Sequence, residues 1–357
     1  MNLQAGPIAV AGATGFTGGL VAEVLAERSA PLRLIARNAD RLAEAADRYP
    51  DATARPVPEW DERGLAAALE GCAAVIACAG PFASAGWPVI HAAIGAHVPY
   101  CDSTGEQHFI RGIFDQMDAP ARAAGVPLVP AFGYDYVPGD LGAALLAREL
   151  GELSELEVIY VSESAASSTG TRRSMIEILA APGVELAGGS LRPSRVAGHR
   201  RRLATPFGAV EVMSIPGGEA ITVPRHVAVR DVRTFIGSGR PLRGVAIMPL
   251  LGLLVRLRPV RRFVQRAFGA RGPAGPVGAS REKRFLCRVE GRSPDGRHGT
   301  VLLQGRDPYG FTAAALATLA LRMASGGLTA TGTLAPAQAV APRSFLETLG
   351  VTIERSD

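Results

Sequence analysis

The chain has 357 residues, with 38 Lys and Arg against 33 Asp and Glu, a formal net charge of +5 and a hydrophobic share of 47%. This length suits two domains, or one large domain with an insertion, around a substantial core. The positive charge is almost wholly arginine, since Lys283 is the single lysine. The arginines are scattered and lack the interleaved aromatic residues or the known motifs of a nucleic-acid binder. We therefore expect a globular protein that does not bind nucleic acid.

The cysteines and histidines argue against a metal centre. The four cysteines are too widely spaced for a C-x-x-C motif, and the six histidines form neither an H-E-x-x-H pattern nor a His/Asp cluster. So few cysteines indicate reduced thiols, and no basic and apolar export signal precedes the first strand. We expect a cytoplasmic protein without a bound metal.

The first predicted strand, Ile8–Ala11, leads into a glycine-rich turn, and an amphipathic helix is predicted over residues 17–29. Gly12 permits a tight turn, Gly15 lets the backbone approach a pyrophosphate, and Gly18 lets the helix pack close to the strand. The N-terminus of the helix then offers unpaired N–H groups to the anion. This turn predicts a dinucleotide site formed by Gly12, Ala13, Thr14, Gly15, Phe16 and Thr17.

The second predicted strand, Leu32–Ala36, ends where a dinucleotide-binding fold places the residue that reads the ribose, and Arg37 follows it. A carboxylate at this position would accept from the 2′-hydroxyl of NAD and repel a 2′-phosphate. Arg37, with Asn38 beside it and Arg41 one helical turn on, instead offers donors to a phosphate. We expect Arg37 and Asn38 to bind the cofactor and NADP(H) to be preferred. The alternative is a solvated charge at a strand end.

Strands and helices alternate up to about residue 135. Further strands are predicted at 73–79, 98–101 and 126–130, and helices at 39–49, 61–71, 85–96 and 106–124. This alternation is typical of a parallel sheet covered on both faces. We therefore predict an α/β fold in which residues 1–137 form a Rossmann-type, doubly wound NADP-binding domain.

The pattern changes after Asp140, which we interpret as the N-cap of a helix over 141–150. After it we predict a strand at 156–162, a helix at 171–180 and antiparallel strands within 184–239. Two strands at 284–290 and 300–306 and two helices at 312–324 and 336–349 follow. We predict a second, α+β domain over residues 138–325 for substrate binding or dimerisation. Residues 326–357 are predicted to return to the first domain.

An apolar stretch at 245–255, followed by five arginines up to residue 266, has two interpretations. It is too short to span a bilayer, which takes roughly 20 apolar residues. A basic amphipathic helix here could contact an anionic membrane, an acyl chain or a carrier protein. It could equally be a helix packed against its own domain or against a homodimer partner. Both interpretations stay open.

Three polar or glycine-containing clusters follow predicted strands of the first domain. The first predicts cofactor contacts from Cys78, Ala79, Gly80, Pro81 and Phe82, because ligands of an open α/β sheet bind at the carboxyl ends of its strands. In the second, Tyr100 and Asp102 could orient a substrate or the nicotinamide, whereas Thr104 and Glu106 are explained by helix capping alone. A purely structural role for Tyr100 and Asp102 is equally open.

The third cluster lies where the predicted first domain ends, and a cleft between domains is where hydride transfer usually occurs. Tyr134 or Tyr136 could donate a proton, and Asp135 could orient a substrate amine or the phenol. These three residues are the leading candidates for the chemistry, followed by Tyr100 and Asp102. The single lysine argues against a Schiff-base mechanism.

Taken in order, these clusters resemble the saccharopine dehydrogenase-like oxidoreductases, and more closely their short actinobacterial branch of trans-acting enoyl reductases. The matching motifs are G-A-T-G-x-T-G at 12–18, A-G-P-F at 79–82, Y-x-D-x-T-G-E at 100–106 and G-[FY]-D-x-x-P-x-D-L at 133–141. Segments at 169–174, 203–207, 221–225 and 305–311 extend the resemblance over nearly the whole chain. The chain departs from the branch at Tyr136, where serine is common, and at Cys78, where asparagine is common.

The resemblance implies a Rossmann domain, NADP(H), and reduction of an activated C=C bond in a polyketide- or lipid-like substrate of secondary metabolism. Related folds also reduce C=N bonds, which here would need arginines such as Arg172, Arg173 or Arg225 to hold carboxylates. A third alternative is a non-catalytic NADP-binding protein that uses residues 245–266 at a membrane. A hydrophobic substrate pocket would favour reduction of an enoyl C=C bond.

Overall fold

The computed structural model describes residues 6–163, 181–238 and 283–356, together with isolated residues between these ranges. In chain order the strands are β1 Ile8–Ala11, β2 Leu32–Ala36, β3 Ala52–Pro56, β4 Ala74–Ala77, β5 Tyr100–Asp102, β6 Pro127–Val129, β7 Leu153–Ser162, β8 Gly183–Ala187, β9 Ser190–Ser194, β10 Arg200–Thr205, β11 Gly208–Ile215, β12 Val229–Ser238, β13 Arg284–Arg292, β14 His298–Arg306, β15 Gly332–Thr333 and β16 Thr352–Ser356.

The helices in the same part of the chain are α1 Phe16–Glu27, α2 Ala39–Ala46, α3 Glu62–Leu69, α4 Phe82–Gly95, α5 Gln107–Gln116, α6 Asp118–Ala124, α7 Val137–Leu150, α8 Glu219–Thr222, α9 Pro308–Ala324, α10 Pro336–Ala339 and α11 Pro342–Thr348. A short 3-10 turn, Val223–Arg225, follows α8 directly.

Contacts divide the chain into two compact units. The first unit comprises Met1–Thr104, Phe109–Gly133 and Tyr309–Leu334, and the second comprises Gly105–His108, Tyr134–Pro308 and Ala335–Asp357. This division differs from the predicted bounds at residues 137 and 325. The reason lies in strand pairing: β15 joins the first sheet beside β6, whereas β16 joins the second sheet beside β14.

The first unit is built on a seven-stranded sheet in the order β15-β6-β5-β4-β1-β2-β3. All of its neighbouring strands run parallel. The four residues of β1 are fully buried, as expected of a central strand covered on both faces. The predicted Rossmann-type parallel sheet is therefore confirmed.

Two strands of this sheet and one helix break were not predicted from the sequence. β3 consists of the partly exposed residues Ala-Thr-Ala-Arg-Pro at the edge of the sheet, and β15 has only two residues. Neither shows the apolar run that identifies a buried strand. The single helix predicted over 106–124 is in fact two, α5 and α6, because the chain breaks at Met117.

The second unit is built on a nine-stranded mixed sheet in the order β10-β11-β12-β7-β13-β14-β16, with β8 attached to β12 and β9 attached to β8. Together with the first sheet this confirms the predicted fold class. The antiparallel prediction for residues 184–239 is confirmed, because all strand pairs within this segment, β8–β9, β10–β11, β11–β12 and β8–β12, are antiparallel. In addition, β12 runs parallel to β7, which lies outside this segment. The turn after α8 brings the chain back to the start of β7, where the N–H of Leu153 donates to the carbonyl of Ala228.

The helix after the third cluster begins earlier than predicted. α7 begins at Val137, with Tyr136 at the N-cap and a proline in its first turn. Asp140 is therefore inside the helix and is not the N-cap. The predicted C-terminal helix 336–349 is two short helices, α10 and α11, because Pro342 opens a new helix.

Two predictions lie mainly outside the described residues: the helix at 171–180 and the apolar and basic segment at 245–266. Among the described helices, none combines the length and the apolar character needed to cross a membrane.

Candidate functional site

The glycine-rich turn between β1 and α1 has the geometry that the sequence predicts. Gly12 has φ of +92°, and a Cβ atom at this position would lie 2.8 Å from the backbone nitrogen of Ala79. The N–H of Gly12 donates to the carbonyl of Ile35 over 2.8 Å, and the N–H of Cys78 donates to Ala11 over 2.8 Å. Only glycine fits at residue 12, because the ends of β1 and β4 meet there.

Gly18 and Gly15 have different tasks in the same turn. A Cβ atom on Gly18 would overlap the carbonyl oxygen of Gly12, so glycine lets α1 pack against the strand end. Gly15 is exposed and is the N-cap of α1, where no side chain caps the helix. An uncapped helix N-terminus with a bare glycine backbone is suited to bind the pyrophosphate of a dinucleotide.

The residues after β2 are arranged as a cationic edge. Arg37 is exposed and makes no hydrogen bond or ion pair with the described residues. The side chain of Asn38 accepts a hydrogen bond of 2.8 Å from the N–H of Arg41 and so caps α2. The guanidinium of Arg41 donates to the carbonyl of Thr14 over 3.3 Å. Arg41 thus links α2 to the glycine-rich turn, and Arg37 is left available for a ligand.

A cavity of about 150 Å³ lies between α1, β2 and α2. Its lining includes Thr14 and Gly15 from the turn, and Arg41 and Arg48 from α2 and the residues just after it. The lining also includes one acid, Glu44. The two guanidinium groups outnumber it, and with the uncapped helix N-terminus they suit phosphate groups.

The predicted contact residues after β4 divide into exposed backbone and buried side chain. Ala79, Gly80 and Pro81 are only partly buried, so their backbone is accessible. The ring of Phe82 is buried in the core, 5.8 Å from the ring of Phe109 between centroids. Burial raises the pKa of the Cys78 thiol to about 12, with the neighbouring Asp102 adding to the effect. Cys78 is thus a neutral thiol at physiological pH.

Tyr100 and Asp102 form a buried hydrogen-bonded pair. The hydroxyl of Tyr100 donates to Oδ2 of Asp102 over 2.7 Å, and both residues are fully buried. Oδ1 of Asp102 accepts from the N–H groups of Thr104 and Ala131, each over 2.9 Å. The carboxylate therefore holds the ends of β5 and β6 together. This geometry favours a structural role for the pair.

The third cluster lies in the second unit. Tyr134 is half-buried, and its ring packs against the rings of Tyr160, at 5.7 Å and 74°, and Phe285, at 4.8 Å and 60°. Asp135 is exposed, although the surrounding protein reduces its hydration and raises its pKa to about 6. Tyr136 is buried, and its hydroxyl donates to the carbonyl of Gly105 over 2.9 Å.

Burial also fixes the protonation state of the two phenols. It raises the pKa of Tyr134 well above the usual value, with Cys287 and Asp135 adding to the effect. It does the same for Tyr136, where Glu219 is the next largest cause. Both phenols are therefore protonated at neutral pH and can act as donors.

A buried carboxyl that the sequence did not reveal lies near these tyrosines. Glu219 is fully buried; its Oε1 accepts from the hydroxyl of Tyr160 over 2.7 Å and its Oε2 from the hydroxyl of Thr234 over 2.8 Å. Burial raises the pKa of Glu219 to about 7, although the two hydrogen bonds stabilise the ionised carboxylate and so lower the pKa. The sequence feature that could have indicated Glu219 is an acid placed between a Gly-Gly pair and an apolar run, at 217–221.

A second buried pair joins Asp140 to His226. Nε2 of His226 lies 3.1 Å from Oδ1 of Asp140, which also accepts from the N–H of Ala337 over 2.8 Å. Burial disfavours the charged imidazole, but the Asp140 carboxylate outweighs this effect and raises the pKa of His226. Asp140 thus ties α7 to the 3-10 turn and to α10. Among the described residues, no cluster of three or more His, Cys, Asp and Glu side chains could hold a metal ion.

The fold and the turn define a class of protein, and comparison with known families agrees. Residues 12–129 match the family model described as NAD(P)H-binding. The match begins at the glycine turn and ends with β6. Residues 12–129 thus form a domain similar to NAD(P)H-binding domains.

The comparisons with individual proteins are more specific. A Mycobacterium tuberculosis protein whose name proposes a trans-acting enoyl reductase is 35% identical over 190 residues, which is 48% of this chain and 44% of that protein. The trans-acting enoyl reductase of Mycobacterium leprae is 34% identical over 168 residues, or 44% of this chain and 40% of that protein. The chain thus spans less than half the length of the curated relatives it matches.

Among solved structures, the saccharopine dehydrogenase (L-Glu forming) of Saccharomyces cerevisiae superimposes with a TM-score of 0.65 at 12% identity, covering 99% of each chain. Identity this low shows a shared fold and nothing more. The predicted resemblance to saccharopine dehydrogenase-like proteins and to trans-acting enoyl reductases is confirmed.

Proposed function

We propose that the protein is an NADPH-dependent oxidoreductase that reduces an activated C=C bond in an acyl-type, polyketide- or lipid-like substrate. The NAD(P)H-binding match over 12–129 and the uncapped glycine turn support the cofactor class. The names of the mycobacterial relatives support the reaction class.

The residues proposed to hold the cofactor come from three strand ends of the first unit. The turn would bind the pyrophosphate through backbone N–H groups, and the backbone after β4 would contact the nicotinamide half. When bound, the nicotinamide supplies a hydride. The full proposed set is Gly12, Ala13, Thr14, Gly15, Phe16, Thr17, Arg37, Asn38, Cys78, Ala79, Gly80, Pro81 and Phe82.

Arg37 is the observation that carries the preference for NADPH. An exposed guanidinium without a partner in the described part of the chain, at the end of β2, is suited to pair with a 2′-phosphate. Asn38 has its side-chain oxygen committed to the cap of α2, so it would contribute its amide N–H groups only. Arg41 would add positive charge from the same helix.

Tyr134 and Tyr136 are the proposed proton donors to the carbon that becomes negative after hydride addition. A phenol protonated at neutral pH can donate, whereas Asp135, with a pKa of about 6, is mostly ionised there. We propose that Asp135 orients the substrate. Tyr100 and Asp102, which are buried and bonded to each other, would support the strand ends and not the reaction.

A substrate panel tests the proposal. We expect NADPH oxidation, followed by its absorbance, with conjugated enoyl thioesters such as crotonyl-N-acetylcysteamine and longer 2-enoyl homologues. Mass spectrometry should show a product two hydrogen atoms heavier. Turnover only with mixtures of an amino acid and an oxo acid would establish imine reduction instead. NADPH binding without turnover of any acceptor would contradict an enzyme.

A further inference from the structure

The carboxyl of Glu219 occupies a cradle made by two glycines and two hydroxyl groups in the second unit. A Cβ atom on Gly139 would overlap the Tyr160 hydroxyl and Oε1 of Glu219, and a Cβ atom on Gly217 would overlap Thr234 and Oε2. Both carboxyl oxygens accept from neutral hydroxyls, and no basic side chain in the described ranges pairs with Glu219. A buried carboxyl without a cation is costly when ionised, so its position requires a reason.

Two routes connect this carboxyl to the segment that carries Tyr136. The Tyr160 hydroxyl, which donates to Glu219, also accepts from the N–H of Gly139 over 3.1 Å, in the first turn of α7. In addition, Glu219 lies close enough to Tyr136 for its charge to raise the pKa of the phenol, second only to burial. Tyr136 is itself the N-cap of α7. A hydrogen-bond chain to the first turn of α7 and a direct charge effect thus connect Glu219 to Tyr136.

The loop before Glu219 is held from a third direction. The side-chain amide of Gln107 donates to the carbonyls of Gly217, over 2.6 Å, and Val184, over 2.7 Å, and accepts from the N–H of Val184 over 2.9 Å. Because the loop cannot move freely, a change at the carboxyl must pass to its hydrogen-bonded neighbours.

We propose that Glu219 is a positioning residue for Tyr136, and that gain or loss of its proton changes the hydrogen bonding of Tyr160 and Tyr136 together. The proposal rests on the proposed function only in treating Tyr136 as a candidate donor. It deepens that function by assigning the pH response of the site to an acid that need not touch the substrate.

The groups that face Glu219 support a transition near neutrality. Tyr160 on β7, Thr234 on β12, Asp140 in α7, Cys287 on β13 and Tyr136 surround it. Burial and, to a smaller extent, the nearby Asp140 carboxyl disfavour the ionised form of Glu219, and the hydrogen bonds from the Tyr160 and Thr234 hydroxyls favour it. These opposing effects leave Glu219 close to half-ionised at physiological pH.

Carbon-13 NMR of tyrosine labelled at the ζ carbon reads this coupling without any substrate. The chain has six tyrosines, so Tyr136→Phe and Tyr160→Phe assign the two resonances of interest. In the wild type we expect both to move with one shared midpoint near neutral pH. In Glu219→Gln, which keeps the size of the side chain, the shared transition should vanish. In the control Glu157→Gln, a partly exposed acid paired with Arg201, it should remain.

Three results would overturn the proposal: a shared transition that survives Glu219→Gln, one lost in Glu157→Gln, or a Tyr136 resonance that does not titrate while Tyr160 does. Should Glu219→Gln fail to fold, Tyr160→Phe decides. Loss of its stabilising hydrogen bond to the carboxylate should move the Tyr136 midpoint to higher pH. An unmoved midpoint contradicts the coupling. The result of this titration does not depend on whether the protein reduces any of the enoyl thioesters.

Discussion

Arg37 and Asn38 are adjacent, both are exposed, and they have different tasks. The side-chain oxygen of Asn38 caps α2, while Arg37 has no partner in the described part of the protein. Their order in the sequence predicted a pair of phosphate ligands. In the structure Asn38 caps the helix, and Arg37 has no partner among the described residues. Local hydrogen bonding explains this difference, which residue spacing alone could not predict.

Replacing Arg37 by aspartate should reverse the cofactor preference. We expect NADPH affinity to fall on the order of 100-fold, because a bidentate charge-assisted contact is replaced by repulsion of the 2′-phosphate. NADH affinity should change little. Titration of both cofactors by fluorescence measures the two losses, with Arg63→Asp, an exposed arginine of α3, as the control. Equal losses for NADPH and NADH would show that Arg37 does not read the 2′-phosphate.

The phenols of Tyr134 and Tyr136 can be removed one at a time. Each Tyr→Phe change keeps the ring packing, so NADPH affinity should stay near that of the wild type. Turnover of the active enoyl thioester should fall about 100-fold in the variant that loses the proton donor. Steady-state kinetics on both variants identifies the donor. Undiminished turnover in both would remove the phenols from the reaction.

At the scale of elements, one carboxylate holds two strand ends together. Asp102, at the end of β5, accepts from residues 104 and 131, and its own carbonyl accepts from the N–H of Phe132 over 2.7 Å. Ala131 has φ of +60°, which is unfavourable for a residue with a side chain. These bonds supply the free energy that keeps the backbone after β6 in this conformation.

Asp102→Ala should destabilise the first unit by about 2–4 kcal/mol, because it leaves three buried donors without an acceptor. Tyr100→Phe should cost only ~1 kcal/mol, since it removes one donor while Oδ1 of Asp102 keeps its two backbone hydrogen bonds. Urea unfolding followed by circular dichroism measures both, with the exposed Asp51→Ala as a control. A neutral Asp102→Ala would refute the structural role.

The sequence predicted elements whose periodicity or chemistry is local. β1, β2 and the glycine turn are found at the expected residues, because an apolar run and three glycines suffice to define them. β3 and the parallel pairing of β12 with β7 were missed, and the start of α7 was predicted too late. Edge strands carry little apolar signal, and the pairing of distant strands depends on where the chain returns, which is a tertiary property.

The candidate site shows the same limit. The glycine turn and Arg37 could be proposed as phosphate ligands from the sequence, because phosphate binding needs residue types at fixed spacing. Glu219 and Tyr160 were missed because 59 residues separate them in the sequence. Their hydrogen bond exists only after β7 and α8 have met in the second unit.

At the scale of the whole molecule, the buried acids make stability depend on pH. The pKa of Glu219 is about 7 in the folded protein against an ordinary glutamate value of 4.5, so the unfolded chain releases this proton first as pH rises. Stability should therefore fall between about pH 4.5 and pH 7 and remain lower above it, by on the order of 3 kcal/mol.

His226 acts in the same direction, because its raised pKa gives stability below the unfolded value of 6.5 that is lost as pH rises through the folded value. The two contributions are separated by mutation. Glu219→Gln should flatten most of the slope measured by thermal unfolding across this range, and His226→Gln should flatten only its upper part. A slope unchanged in Glu219→Gln would mean that the carboxyl is not protonated in the native state.

The chain order of the two units has a practical consequence for protein engineering. Residues 309–334 complete the NAD(P)-binding unit: β15 extends its sheet, and Thr318 of α9 accepts from the guanidinium of Arg28 over 2.8 Å. A recombinant fragment that stops near residue 137 would lose both. Without β15, strand β6 would become an exposed edge strand that can pair with strands of other molecules. Such a fragment is therefore expected to precipitate. Transferring this unit to another protein would therefore require joining residues 309–334 to the N-terminal segment by a designed linker.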